Sequence, residues 1–175
     1  MKRVLILPGH SYKDPGASNQ ELGVTEYEYC LNRTFELLRG DTWDDIDVVL
    51  KTRNGSYSKL PGECDTINPD YIIELHLNAA NKKAQGSEVL YCSASGRGKK
   101  MAEIIQANLV GELGLRDRGA KPITKNDRGG HLLWKTKAPC VIVESFFLDS
   151  AKELHREEVY EALRASIREI VDRRV

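Results

Sequence analysis

No stretch of the 175-residue chain approaches the roughly 20 apolar residues that span a bilayer. The opening run, Met1-Lys2-Arg3-Val4-Leu5-Ile6-Leu7-Pro8, is too short for the core of a secretory signal and lacks a small-residue cleavage site. The expectation is a protein made and folded in the cytoplasm, without a Sec-type exit of its own and without membrane insertion. An excess of either charge is also missing, since Lys+Arg and Asp+Glu number 26 each. Nucleic-acid binders normally show a basic excess, so the balance argues against that class, and any polymer must be recognised at a site rather than by bulk charge. Cys30, Cys64, Cys92 and Cys140 form no Cys-x-x-Cys pair, which rules out a zinc knuckle or thioredoxin-type centre and leaves plain thiols. The loop at 8–20 fits neither Gly-x-x-x-x-Gly-Lys-[Ser/Thr] nor Gly-x-Gly-x-x-Gly, which argues against a nucleotide-binding module. With no repeat, linker or low-complexity segment, residues 1–175 read as one domain.

What is present is an alternation of strands and helices. Residues 3–7 form a short continuous apolar strand closed by Pro8-Gly9, and 8–24 are a Gly-, Pro-, Ser- and Asn-rich loop. Thr25 is a good N-cap, Glu28 completes a capping box, and Tyr27, Cys30, Leu31, Phe35 and Leu38 recur at helical spacing, with Gly40 placed to end the helix. Further strands are expected at 46–50, 70–77, 86–91 and 141–146. Helices are expected at 97–113, through Met101, Ile104, Ile105, Leu109 and Leu113, and at 157–171, through Val159, Leu163, Ile167 and Ile170. Residues 53–69 read as irregular, with Pro61-Gly62 against a long helix, and 115–137 as loop-rich, without a readable pattern. Continuous β-branched runs separated by helices imply an α/β domain around a largely parallel sheet.

In such sheets the functional crevice lies at the C-terminal edge of the strands. His10 follows the first strand, His76 closes the third, and Glu144 ends the last, so the three can converge on one rim. Glu26, at the first helical position, can reach the same rim. Two imidazoles and one carboxylate with an open fourth position make a catalytic zinc set, leaving a second carboxylate to move protons. Each residue also has a plainer reading. Glu26 favours the helix dipole where it stands, and Glu21 and Glu28 compete with it as ligands. Glu144, amid Val-Ile-Val and Phe-Phe, must either meet an Arg or Lys in a structural salt bridge or carry a raised pKa. Asn78 serves either as an orienting residue or as a turn residue. His131 is a candidate for the rim of a groove, and His155, among charged neighbours, reads as solvated.

The motifs resemble those of the zinc amidases of the amidase-3 type, and among them phage endolysin catalytic domains. Gly9-His10-Ser11-Tyr12-Lys13-Asp14-Pro15-Gly16-Ala17 resembles the family's Gly-His-x-x-x-Asp-Pro-Gly-Ala, and Thr25-Glu26-Tyr27-Glu28-Tyr29 its second ligand segment. Glu74-Leu75-His76-Leu77-Asn78-Ala79 is similar to its His-x-Asn-Ala segment. Pro139-Cys140-Val141-Ile142-Val143-Glu144-Ser145-Phe146-Phe147 is similar to the strand bearing its catalytic glutamate. Two lesser blocks agree, Gly86-Ser87-Glu88-Val89-Leu90-Tyr91 and Arg118-Gly119-Ala120-Lys121. The resemblance implies zinc held by His10, Glu26 and His76, and Glu144 as the catalytic carboxylate. It also implies a twisted, mainly parallel (mixed) sheet of about six strands with helices on both faces. The implied substrate is peptidoglycan, cut at the amide joining the lactyl group of N-acetylmuramic acid to L-alanine. An endolysin of this kind acts on the wall after release with the help of a separate holin-like protein; a cytoplasmic muropeptide-recycling amidase, or a catalytic domain from a longer protein, would carry the same motifs. Ser11-Tyr12 replaces the common Gly-Gly, and Ser145-Phe146 a glycine-containing pair, departures that touch substrate preference rather than the metal set. A zinc carboxypeptidase-like hydrolase and an inactive wall-binding module are the competing readings, and the sequence carries no signal for an oligomeric state.

Overall fold

A computed structural model describes residues 1–39, 43–127 and 129–175. The first apolar run forms β1 (Lys2–Pro8), and a two-stranded ribbon, β2 (Ser18–Asn19) with β3 (Val24–Thr25), leads into α1 (Glu26–Arg39). Then come β4 (Ile46–Leu50), a 3-10 turn (Tyr57–Lys59), α2 (Leu60–Ile67), β5 (Tyr71–Asn78) and β6 (Ser87–Cys92). The chain finishes with α3 (Gly96–Leu113), β7 (Asp117–Ile123), α4 (His131–Lys135), β8 (Cys140–Phe147) and α5 (Arg156–Asp172). Six strands make one sheet in the order β4-β1-β5-β8-β6-β7. Every neighbouring pair is parallel except β6 with β8, so the sheet is mixed and mainly parallel, as expected.

Because side chains alternate along a strand, the sheet divides its residues between two layers. Val4, Ile6, Tyr71, Ile73, Leu75, Val89, Val141 and Val143 meet α1, α3 and α5 in the larger cluster. In that layer Met101, Ile105 and Leu109 of α3 are completely buried, each stabilising the fold by roughly 1.5–3 kcal/mol relative to exposure. Leu5, Leu7, Ile72 and Ile142 face the other way, against Leu60 and Cys64 of α2 and Leu132 and Leu133 of α4. Two residues beyond Ile72 and Ile142 on this second face stand Glu74 and Glu144. The short helices α2 and α4 leave that part of the face open as a cleft.

Four expectations need correction. Residues 53–69 hold a turn and the eight-residue α2, because Pro61 falls in the first helical turn, where its missing N–H leaves no bond unmade. The segment expected to be loop-rich contains β7 and α4. Gly119 and Pro122 obscure β7, which is tolerated as the outermost strand beside β6. Glu144 does not end its strand, since β8 continues to Phe147. Finally, α1 has the expected start but a different inner face. Tyr29, Cys30, Thr34 and Leu37 are buried with Glu26, while Phe35 and Leu38 are exposed. The helix is turned so that Glu26, and with it the positions 4, 8 and 11 further on, faces inward. Gly40 lies outside the described residues.

Candidate metal centre and active site

The parallel strands β1, β5 and β8 lie side by side and point their C-terminal ends one way. That places His10, two residues past β1, beside His76 in β5, and sets His76 opposite Glu144 in the β5–β8 register. The capping box predicted for α1 is formed. Thr25 N donates to Glu28 Oε2 at 3.0 Å, and Glu28 N donates to Thr25 Oγ1 at 3.3 Å. Glu28 is thus occupied and exposed, Glu21 is exposed, and Glu26 is the carboxylate that turns into the rim.

Glu26 is 3% exposed, and both its oxygens are engaged. Oε1 accepts from Leu77 N at 3.0 Å and lies 2.8 Å from His76 Nδ1. Oε2 accepts from Ala17 N at 2.9 Å and lies 3.2 Å from His10 Nε2. The imidazole rings of His10 and His76 meet edge to face, 5.0 Å between centroids. His10 adopts the left-handed conformation, φ 64°, a strained state for a residue with a Cβ that is maintained by its surroundings. Gly9 N donates to Leu75 O at 2.7 Å, and Arg53 reaches His10 O at 3.4 Å and Asp14 Oδ2 at 2.9 Å. Two glycines admit the ligand side chains: a Cβ on Gly9 would lie 2.4 Å from His76 Nε2, and one on Gly16 would lie 2.5 Å from Glu26 Oε2.

The electrostatics follow from packing carboxylates and imidazoles into a half-dry rim. Burial alone would raise the Glu26 pKa, but His10 and His76 hold it well below the ordinary carboxylate value. The hydrogen bond to Glu26 raises His10. Burial would lower His76, yet Glu74, Glu26 and Glu144 together outweigh it and raise its pKa well above the usual value. Glu144 is pushed up to about 7 by burial, with His76 opposing and Glu26, Glu88 and Glu74 adding to the rise. No Arg or Lys salt bridge holds it among the described residues, and its Oε2 has no hydrogen-bond partner. Among the described residues the structural salt bridge is not formed, and burial without a cationic partner favours the raised-pKa alternative.

His10, Glu26 and His76 offer donor atoms that all lie within 4.8 Å of one another. Two imidazole nitrogens and a carboxylate oxygen suit zinc or a similar divalent ion. Glu26, Glu74 and Glu144 crowd around His10 and His76, and Arg53 beside them is engaged by Asp14, so a divalent cation would offset charge that protons must otherwise offset. The residues fit a metal. Beside them opens a cleft of about 450 Å³, lined among others by Arg53, Tyr57, Leu90, Ile142 and Glu144.

Asn78 donates to Glu88 Oε1 at 2.8 Å and accepts from Ala79 N, so it ties β5 to β6. Glu88, opposite Glu144 in the β6–β8 register, is neutralised by Arg118 at 2.7 Å and by Lys121. His131 starts α4, with its ring 5.8 Å from that of Tyr57, next to the cleft rather than among the ligands. His155 is not solvated as expected: its side chain is only 16% exposed and its ring packs edge-on to Phe146 at 5.4 Å. The four cysteines are buried free thiols. Sequence reasoning gave no role to Asp14, Arg53 or Glu74. Glu74 had a readable signal, being a carboxylate inside Tyr71-Ile72-Ile73 and Leu75 at the i−2 position from His76, on the same strand face.

Fold and site together define the class: a single α/β domain with a candidate His/Glu/His metal set at the rim of a mixed sheet. The N-acetylmuramoyl-L-alanine amidase family of the amidase-3 type matches residues 4–172, and the chain belongs to that family. It is 28% identical over 156 residues to the N-acetylmuramoyl-L-alanine amidase LytC of Bacillus subtilis, covering 86% of this chain but only 30% of LytC. Among solved structures, the catalytic domain of CwlV, an amidase from Bacillus (Paenibacillus) polymyxa var. colistinus, superposes with a TM-score of 0.82 at 24% identity, covering 98% of this chain and 99% of that one. The catalytic domain of the CD27L endolysin, which targets Clostridia difficile, gives 0.72 at 27% identity, covering 96% and 98%. Among the described residues no helix is long and apolar enough to cross a membrane.

Proposed function

We propose that residues 1–175 form a zinc-dependent catalytic domain that hydrolyses the amide between the lactyl group of N-acetylmuramic acid and L-alanine in peptidoglycan. The observation that carries this reading is the convergence of His10 Nε2, Glu26 and His76 Nδ1 beside a buried carboxylate, Glu144, whose pKa is pushed up to about 7. Family membership supplies the substrate class. Zinc, when bound, supplies a positive charge that acidifies water and polarises a carbonyl. Glu144 faces the open cleft on the same strand face as His76, where it can accept a proton from the attacking water and return it to the departing amine. In the metal-free protein its pKa lies near neutrality, the range suited to a group that both accepts and returns a proton. Glu26 and the two histidines hold the metal, and Asp14, Arg53 and Glu74 brace them. The match to an endolysin catalytic domain supports a role as a lysin acting on the bacterial wall; that it is a phage lysin, reaching the wall through a separate holin-like protein, we propose from the resemblance of its motifs alone.

The test is digestion of purified cell wall with zinc supplied, comparing wild type and Glu144→Ala. Peptides with new N-terminal L-alanine from wild type alone support the reading. Release of C-terminal residues with the muramoyl amide intact would point instead to a carboxypeptidase-like hydrolase, and binding without any product to an inactive wall-binding module.

A further inference from the structure

Glu74 is the most deeply buried carboxylate of the site that neither supplies a metal donor nor carries the proposed proton, at 2% exposure. It lies in the middle of β5, flanked by Ile73 and Leu75, and its Oε2 has no hydrogen-bond partner. Among the described residues its ion-pair partner is His76, whose Nε2 stands 3.6 Å from Glu74 Oε2. That nitrogen is the one turned away from the donor cluster, because Nδ1 points at Glu26. Gly9 leaves space for the same ring edge, since a Cβ there would lie 2.4 Å from His76 Nε2.

A buried carboxylate without a hydrogen-bond partner on one oxygen is costly unless something compensates it. The arrangement has a use if the ring must present Nδ1 to a cation and keep its proton on Nε2. A carboxylate at Nε2 fixes that tautomer, orients the ring and makes the ligating nitrogen more basic. We infer that Glu74 is a positioning residue, the carboxylate that receives the Nε2–H of His76 and holds that histidine in its metal-binding tautomer. The inference rests on the reading of His10, Glu26 and His76 as a zinc site.

The experiment compares zinc binding and histidine spectra in metal-stripped wild type, Glu74→Gln and Glu74→Leu. Zinc affinity is measured by competition with a chromophoric chelator, and the His76 ring nitrogens by long-range proton–nitrogen NMR of the zinc-loaded proteins. In wild type the spectra should show Nδ1 ligated and a slowly exchanging proton on Nε2. Glu74→Leu should bind zinc about 10–100-fold more weakly. Glu74→Gln, which keeps an acceptor oxygen but not the charge, should lose less. A Glu74→Leu protein that folds, binds zinc as tightly as wild type and leaves the His76 signals unmoved overturns the inference while the zinc site stands. Should Glu74→Leu fail to fold, the wild-type spectrum decides: zinc on Nε2, or an Nε2–H exchanging as fast as an exposed imidazole, overturns it. A wild type that takes up no zinc overturns both this role and the metal site beneath it.

Discussion

Glu144 brings a carboxyl group into a face where Leu90 and Ile142 are its neighbours along the cleft and three other carboxylates lie nearby. Burial is the largest cause of its rise to about 7. The consequence for stability has a definite sign. Between the ordinary carboxylate value, near 4.5, and about 7, the folded metal-free protein keeps a proton that the unfolded chain has released. Stability from this group is therefore complete below about 4.5 and is lost as pH rises through 7, a cost on the order of 3 kcal/mol. Glu144→Gln cannot ionise, so the metal-free variant should match wild type near pH 4.5 and exceed it at pH 8, in thermal melts at the two values. The same variant should bind zinc yet lose about 10²–10⁴-fold in turnover on cell wall, the usual weight of a general acid–base group. Gly16 makes a second residue-scale case. Its φ of +74° and the 2.5 Å approach to Glu26 Oε2 leave no space for a methyl group. Gly16→Ala should cost roughly 1–3 kcal/mol and weaken zinc binding. Gly23→Ala, also at positive φ but with nothing within 4 Å, should leave zinc affinity unchanged.

At the scale of elements, the start of α1 matters more than its length. The Thr25–Glu28 box fixes where the helix begins, and Glu26 is its first residue. Thr25→Ala should destabilise the fold by about 1 kcal/mol and also loosen zinc, since the backbone that aims Glu26 is released. Reduced stability in urea melts with unchanged zinc affinity would mean that Ala17 and Leu77, which donate to Glu26, suffice to place it. The same helix shows what its sequence could and could not reveal. Its N-terminus was legible because a capping box is local chemistry. Its inner face was not, because the apolar stripe through Phe35 and Leu38 competes with the face carrying Glu26, and tertiary packing chose the latter. Likewise β1, β4, β5 and β8 were legible as apolar runs. β7 was not, since an outer strand bearing Gly119 and Pro122 is held by β6 rather than by its own pattern. The meeting of His10, Glu26 and His76 at one rim was legible from strand-edge positions. Glu74 was passed over because its meaning depends on the side-chain alternation that sets it beside the far nitrogen of His76.

For the whole molecule, the proposed metal site would link folding to pH. His10, Glu26 and His76 come from the loop after β1, the start of α1 and the end of β5, so any ion they share ties together elements far apart in sequence. A ligand that binds only the folded state stabilises it by about 4 kcal/mol at a thousandfold excess over its Kd, which for a domain of this size is roughly 10 °C in Tm. Zinc removal by a chelator at pH 8 should therefore lower Tm by about that much. Protons compete for the same nitrogens, and in the metal-free protein both histidines titrate above their ordinary value, His10 through Glu26 and His76 through Glu74, Glu26 and Glu144. The protonated rings stabilise the metal-free fold at low pH, and that contribution fades as pH rises through their raised values, where zinc takes over the role of countercharge. The gap in Tm between zinc-loaded and stripped protein should thus shrink as pH falls from 8 toward 6, beginning above the 6.5 of a free histidine. A gap constant across that range would mean that zinc does not bind through His10 and His76. A gap closing only below 6 would mean that the carboxylates around His76 do not hold its proton as the geometry requires.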